Sequence, residues 1–187
     1  MTSNNSRLPV FVSYAHEDNA GSDPNQRLLD RLLQMLKPLN LQDQVCAWSD
    51  RDIKPGQQWE SAIAGQMEHY AEAAVLLISP AFLASNFIRD SELPILLKRA
   101  QDDGVLILPV ILHECLFRET FFKYPDPKKG PKRLSLDVFQ AVNDLSPLDS
   151  LPRHEQDKVL ARVGRSLLEV HSTRPDERPA RKRLKKR

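Results

Sequence analysis

Ala73–Ile78, AAVLLI, is six apolar residues in a row, stopped by Ser79-Pro80. A strand with one wet face would alternate apolar and polar residues. An unbroken apolar run of this length predicts instead a central strand covered on both faces, as in a parallel sheet between helices. Working outward, Leu8–Tyr14 (LPVFVSY) and Val105–Leu112 carry the same signature and predict a first and a fourth buried strand. Asp43–Trp48 predicts the second, and a short edge strand near Leu136–Ala141 a fifth.

The intervening segments have helical spacing. Leu28, Leu29, Leu32, Leu33 and Leu36 form an apolar stripe that Pro38 is expected to close. Trp59, Ile63, Met67 and Tyr70 form a second stripe. From Ala81 to Ala100 the pattern is helical but broken. Pro94 fits only a first helical turn, which predicts a helix start near Asp90–Ser91, either residue serving as cap. Gly104 ends that helix. Val159, Leu160, Val163, Leu167 and Val170 mark a last helix over Asp157–Val170. Four strand–helix alternations imply right-handed crossovers and a mostly parallel sheet between two helix layers, an α/β fold.

The chain has 187 residues, enough for one domain: a polar, disordered segment 1–7, a body over 8–172, and a basic, disordered tail 173–187. Arg178–Arg187 carries seven Lys or Arg and no acid. Without it, residues 1–177 hold 20 basic against 25 acidic residues, a net of −5. The body is therefore mildly acidic, and a basic nucleic-acid groove on it is not expected. The tail has the charge to meet anionic surfaces non-specifically, or is simply solvated. No apolar run reaches the roughly 20 residues of a membrane span, and the start lacks the apolar core of a secretory signal. Cys46 and Cys115 each lie by an apolar stretch and read as reduced core thiols. Together these predict a cytoplasmic protein.

Ligands of open parallel sheets bind at the carboxyl ends of the strands. The loops to inspect are therefore 14–25, 49–58, 79–91 and 113–131. Asp50-x-Asp52 offers two carboxylates and could suggest a metal or phosphoacceptor site, a reading not preferred here. His113-Glu114-Cys115 lacks the ligand spacing of a zinc site, and no metal is expected. Six glycines supply no phosphate loop, and Ser79 lacks a nucleophile elbow.

These same loops carry a recognisable set of boxes. Phe11-Val12-Ser13-Tyr14 followed by Asp18, the stretch Trp48–Trp59 (WSDRDIKPGQQW), Leu77–Ser85 followed by Asp90-Ser91-Glu92-Leu93, and Leu108-Pro109-Val110 resemble, in order and spacing, the four boxes of TIR (Toll/interleukin-1 receptor) domains. The resemblance spans roughly Leu8 to Val170. It implies a flavodoxin-like, three-layer fold with a mostly parallel five-stranded sheet.

For many bacterial members it implies cleavage of NAD to nicotinamide and ADP-ribose, or a cyclic form of it, switched on by self-assembly and used in antiphage defence. Other members are noncatalytic adaptors that bind each other. On this resemblance Glu92 is the catalytic carboxylate, NAD is a substrate, and no cofactor is implied. Glu92 on its own would equally be a helix-start carboxylate stabilising its backbone. In that first turn the helix dipole favours its ionised form.

Tyr14 and Trp59 correspond to aromatics on the nicotinamide side, Trp59 equally to a core position. Asp50 holds either the loop or a ribose, and Ser79 either donates to substrate or shapes its turn. Ile88 stands where active members often carry a stacking aromatic, with Phe87 beside it. Ala15 and His16 stand where basic residues often follow the first-strand Tyr. Lys54, Pro55 and Gly56 are the expected self-association loop, and a separate activator or sensor subunit is the expected trigger.

Overall fold

The computed structural model describes residues 7–52, 64–65, 67–68, 70–124 and 132–174. Four strands form one parallel sheet: β1 (Leu8–Tyr14), β2 (Val45–Trp48), β3 (Ala73–Ile78) and β4 (Leu106–Ile111), in the order β2-β1-β3-β4. All six residues of β3 are buried, because β1 and β4 pair with both of its edges while helices cover both faces.

Alternation along β1 divides the core. Leu8, Val10, Val12 and Tyr14 enter one apolar cluster with α1 (Leu28–Leu41) and the C-terminal helix Arg153–Thr173. Phe11 and Ala15 enter the other, with Phe82 of α2 (Pro80–Ala84) and Leu93, Leu96 and Leu97 of α3 (Leu93–Asp102). The C-terminal helix is α4. Sheet between helix layers is thus the architecture that the unbroken AAVLLI run requires.

The expected fifth strand does not join the sheet. Leu136–Val138 is a 3-10 turn capped by the Ser135 hydroxyl. The outer edge of β4 is covered by single contacts instead. Val142 N–H donates to Pro109 O at 2.8 Å, and Asp149 N–H to Leu112 O at 3.1 Å. Between them the Asn143 side chain acts as a substitute peptide: its Oδ1 accepts from Ile111 N at 3.0 Å and its Nδ2 donates to Ile111 O at 2.8 Å. Pro109 has no amide hydrogen, so this edge has no continuous ladder to offer. The segment before it carries an antiparallel pair of strands, β5 (Phe121–Tyr124) and β6 (Lys132–Ser135), which inserts Phe122 into the second core.

Several boundaries differ from those read off the sequence. Pro38 lies inside α1, which runs on to Leu41, with Gln42 N–H returning to Pro38 O at 3.2 Å. A proline forfeits the bond to the turn before it but leaves its own carbonyl to the turn after. Tyr70 is 65% exposed and does not share the buried face of Met67. Trp59 and Ile63 lie outside the described residues. Cys46 and Cys115 are free thiols and only half-buried, Cys115 packing against the edge of the second core. Arg7 and Arg174, assigned by sequence to the flanking segments, hold each other: Arg174 donates to Arg7 O at 3.0 Å and to Glu72 at 2.6 Å, while Arg7 pairs with Asp43.

The start of α3 differs in a way that matters for the site. Neither Asp90 nor Ser91 caps it. Ile88–Glu92 is a π-helical turn, closed by Leu93 N–H on Ile88 O, and it leads into α3 without a break in helical backbone. Pro94 cannot donate to the carbonyl four residues back, and a widened turn ahead of it accommodates that loss. Gly104, at φ +72°, then ends α3.

Candidate active site

The π-turn turns Glu92 inward. It is 4% exposed, and its Oε2 accepts a hydrogen bond from the hydroxyl of Ser13, itself 1% exposed in β1. Beside it, at the carboxyl ends of β1 and β2, opens a cleft of about 340 Å³ lined by Tyr14, Ala15, His16, Glu17, Asp50, Ala81, Ala84, Ser85, Phe87, Ile88 and Glu92. Seven of the nine residues expected for catalysis and substrate binding converge here: Glu92, Tyr14, Ala15, His16, Asp50, Phe87 and Ile88.

Of the other two, Trp59 lies outside the described residues, as do Lys54, Pro55 and Gly56. Ser79 does not line the cleft. Its fully buried hydroxyl donates to Asp18 at 2.6 Å and accepts from Phe82 N at 3.0 Å, capping α2. It therefore has its turn-forming role, with no hydroxyl left for substrate.

The electrostatics correct one expectation. A Glu in a first helical turn would be held ionised by the dipole. Glu92 instead follows a helical turn and sits in the core. Burial pushes its carboxyl up to about 7; the Asp50 charge adds to this, and the Ser13 hydrogen bond and His16 oppose it. Burial dominates because a nearly dry carboxylate loses hydration that one hydroxyl cannot replace.

Asp50 is the second carboxylate of the cleft. Its side chain is 10% exposed, its Oδ2 meets His16 Nε2, and its buried Oδ1 has no hydrogen-bond partner among the described residues. Strand β2 has already ended, so Asp50 and Asp52 diverge: Asp52 accepts from Ser49 N at 2.8 Å and holds the loop. Burial first, and Asp50 second, raise the Tyr14 phenol above its ordinary value and keep it a hydrogen-bond donor. The Tyr14 and His16 rings lie 5.3 Å apart. Burial also raises Asp18, against the hydrogen bond from Ser79.

Phe87 is half-buried at the cleft wall, whereas Ile88 is 3% exposed within the second core. Among the described residues no group of three or more His, Cys, Asp or Glu is arranged to hold a metal ion.

Sequence reasoning missed Ser13, Glu17 and the 81–85 wall. Ser13 had a signal: a hydroxyl inside a strand buried on both faces requires a buried partner.

A sequence model described as TIR domain matches residues 10–146, well over half of the chain. The protein belongs to the TIR domain family. The match runs from within β1 to beyond β6, so every described cleft residue falls within the TIR domain. A relative, the uncharacterized protein y4lF of Sinorhizobium fredii (strain NBRC 101917 / NGR234), is 30% identical over 106 residues, 57% of this chain. The matched part is 30% of that relative, so the chain spans less than a third of its length. Among the described residues of this TIR domain, no helix is long and apolar enough to cross a membrane.

Proposed function

We propose that this TIR domain is an NAD⁺ glycohydrolase, active when self-assembled in the cytoplasm, in the setting of bacterial antiphage defence. The observation that carries the proposal is Glu92: a carboxyl at the wall of an open cleft, its proton affinity raised to about 7, facing a second buried carboxylate, Asp50.

Heterolysis of the bond from ribose C1′ to the pyridinium nitrogen returns the bonding pair to nitrogen, and nicotinamide leaves neutral without needing an acid. The sugar becomes oxocarbenium-like, a state that a fixed carboxylate stabilises. Glu92 in its ionised form faces that charge and accepts a proton from a ribose hydroxyl or from the attacking water. Water oxygen then bonds to C1′, and the products are ADP-ribose, nicotinamide and one proton. The Ser13 hydrogen bond and His16 both favour the ionised form this requires.

The cleft charge suits the substrate. Glu17, Asp50 and Glu92 line it, and among the described residues no Lys or Arg does. A cationic pyridinium ring is drawn to such a cleft, where Phe87 forms part of the wall.

The test is nicotinamide release at high protein concentration by wild type and by Glu92→Gln. Loss of at least about 10²-fold in the variant is expected. Release that survives the substitution overturns the proposal. One observation favours the alternative of a noncatalytic adaptor working by TIR–TIR contacts: Ile88, in place of an aromatic, belongs to the core. An adaptor would show no NAD turnover in any assembled state, while substitutions at Lys54, Pro55 or Gly56 would abolish association.

A further inference from the structure

We infer that Ser13 is a positioning residue for the cleft carboxylate: its hydroxyl fixes Oε2 of Glu92 against the sheet, so that Glu92 meets substrate through one oxygen in one orientation. This rests on Glu92 being the catalytic carboxylate.

Ser13 lies in β1, on the face where Phe11 and Ala15 belong to the second core, and its backbone is paired in register with Leu76 of β3. Nothing in that core except a polar partner justifies a hydroxyl, since an unpartnered one costs free energy when buried. The partner comes from 79 residues away. Glu92 reaches it because the π-turn Ile88–Glu92 ends there, with the next residue, Leu93, fully buried. The hydroxyl donor is thus on a hydrogen-bonded strand of the sheet and the acceptor on a π-helical turn. A carboxylate on a widened turn needs such an anchor to hold one rotamer, and productive geometry is lost with small displacements.

The same hydrogen bond favours the ionised form. The other groups facing Glu92 are Asp50, which opposes ionisation, His16, which favours it, and Glu17 and Tyr14 along the cleft. With no Lys or Arg lining the cleft among the described residues, Ser13 is the direct donor to the carboxylate.

The test compares Ser13→Ala, Ser13→Cys and Ser13→Thr with the unsubstituted 187-residue chain in two readouts. One is the titration of the Glu92 side-chain carboxyl, followed by carbon NMR. The other is the pH profile of nicotinamide release. In Ser13→Ala the titration should move up by about one pH unit. The acid limb of the profile should move with it, and kcat should fall at least tenfold with KM little changed. Ser13→Thr keeps the hydroxyl and should restore both. Ser13→Cys keeps the size with a weaker donor, should fall between them, and serves if the alanine variant does not fold.

A titration that stays in place in folded Ser13→Ala or Ser13→Cys overturns the inference. So does a titration that moves while the rate profile does not. A titration that moves as expected in a protein that never releases nicotinamide, even when assembled, supports the Ser13–Glu92 link and sinks the NAD glycohydrolase proposal alone.

Discussion

The hydroxyl of Ser13 and the carboxylate of Glu92, 79 positions apart, meet in a buried hydrogen bond beside the cleft. It joins the central strand layer to the turn that leads into α3. The bond offsets only part of the cost of burying Glu92, and the remainder is visible as proton affinity.

That remainder predicts a pH-dependent stability. Glu92 has a folded value of about 7 against an ordinary 4.5, so the folded chain binds its proton more tightly than the unfolded chain. The stabilisation is fully present below about 4.5 and is lost as pH rises through 7. The loss is on the order of 3 kcal/mol. Glu92→Gln does not ionise and keeps an oxygen for Ser13. It should therefore gain stability over wild type between pH 4.5 and pH 8, read from urea unfolding at both. A difference that is flat with pH would show that Glu92 is not buried as described.

The β4 edge makes a second prediction. Asn143, 4% exposed, satisfies both the N–H and the C=O of Ile111. Asn143→Ala strands two buried backbone groups, each costing about 1–3 kcal/mol. The denaturant midpoint should fall accordingly with an unchanged slope, whereas Asn143→Asp, which keeps an acceptor but no donor, should fall between. An alanine variant as stable as wild type would mean that water reaches this edge.

These two sites also show what the sequence could carry. AAVLLI and LPVFVSY announce buried parallel strands because two-sided burial tolerates no polar alternation, and the structure places both at the sheet centre. Glu92 with Tyr14, His16 and Asp50 was legible through box order, since the carboxyl ends of neighbouring strands must converge. Three things were not legible. A side-chain amide replacing an edge strand leaves no periodic trace. A π-turn differs from an α-turn by one hydrogen bond, so Pro94 suggested a helix start where a widened turn stands. The protonation of Glu92 depended on depth of burial, which helix position alone does not give.

Phe87 and Ile88 test which side chain serves the ring of a bound pyridine. Phe87 borders the cleft and is half-buried, so Phe87→Ala should leave the fold intact. It should raise KM for NAD about tenfold, the equivalent of one aromatic stacking contact. Ile88→Trp should not improve binding. Its site is 3% exposed and packed, and overfilling such a position costs about 1–3 kcal/mol of stability. The two measurements are steady-state NAD kinetics and a thermal melt. A tryptophan variant that is stable and lowers KM would show that position 88, which borders the cleft, has room there for an aromatic ring.

The His16–Asp50 pair should tune Glu92 in opposite directions, which separates electrostatics from general damage. Asp50 raises the proton affinity of Glu92 and His16 lowers it. Removing the charge in Asp50→Asn should therefore carry the acid limb of kcat to lower pH, and His16→Ala should carry it higher, each by less than about one pH unit. The two should differ in binding as well. Asp50 lines the cleft and keeps a buried oxygen without a partner among the described residues, which under the proposed function would accept from a ribose hydroxyl or face the pyridinium. Loss of a charged acceptor of that kind should raise KM roughly tenfold or more. His16, whose side chain is 66% exposed, should change KM little. Acid limbs that move the same way in both variants would mean that the pair acts on the fold of the cleft mouth and not on the charge of Glu92.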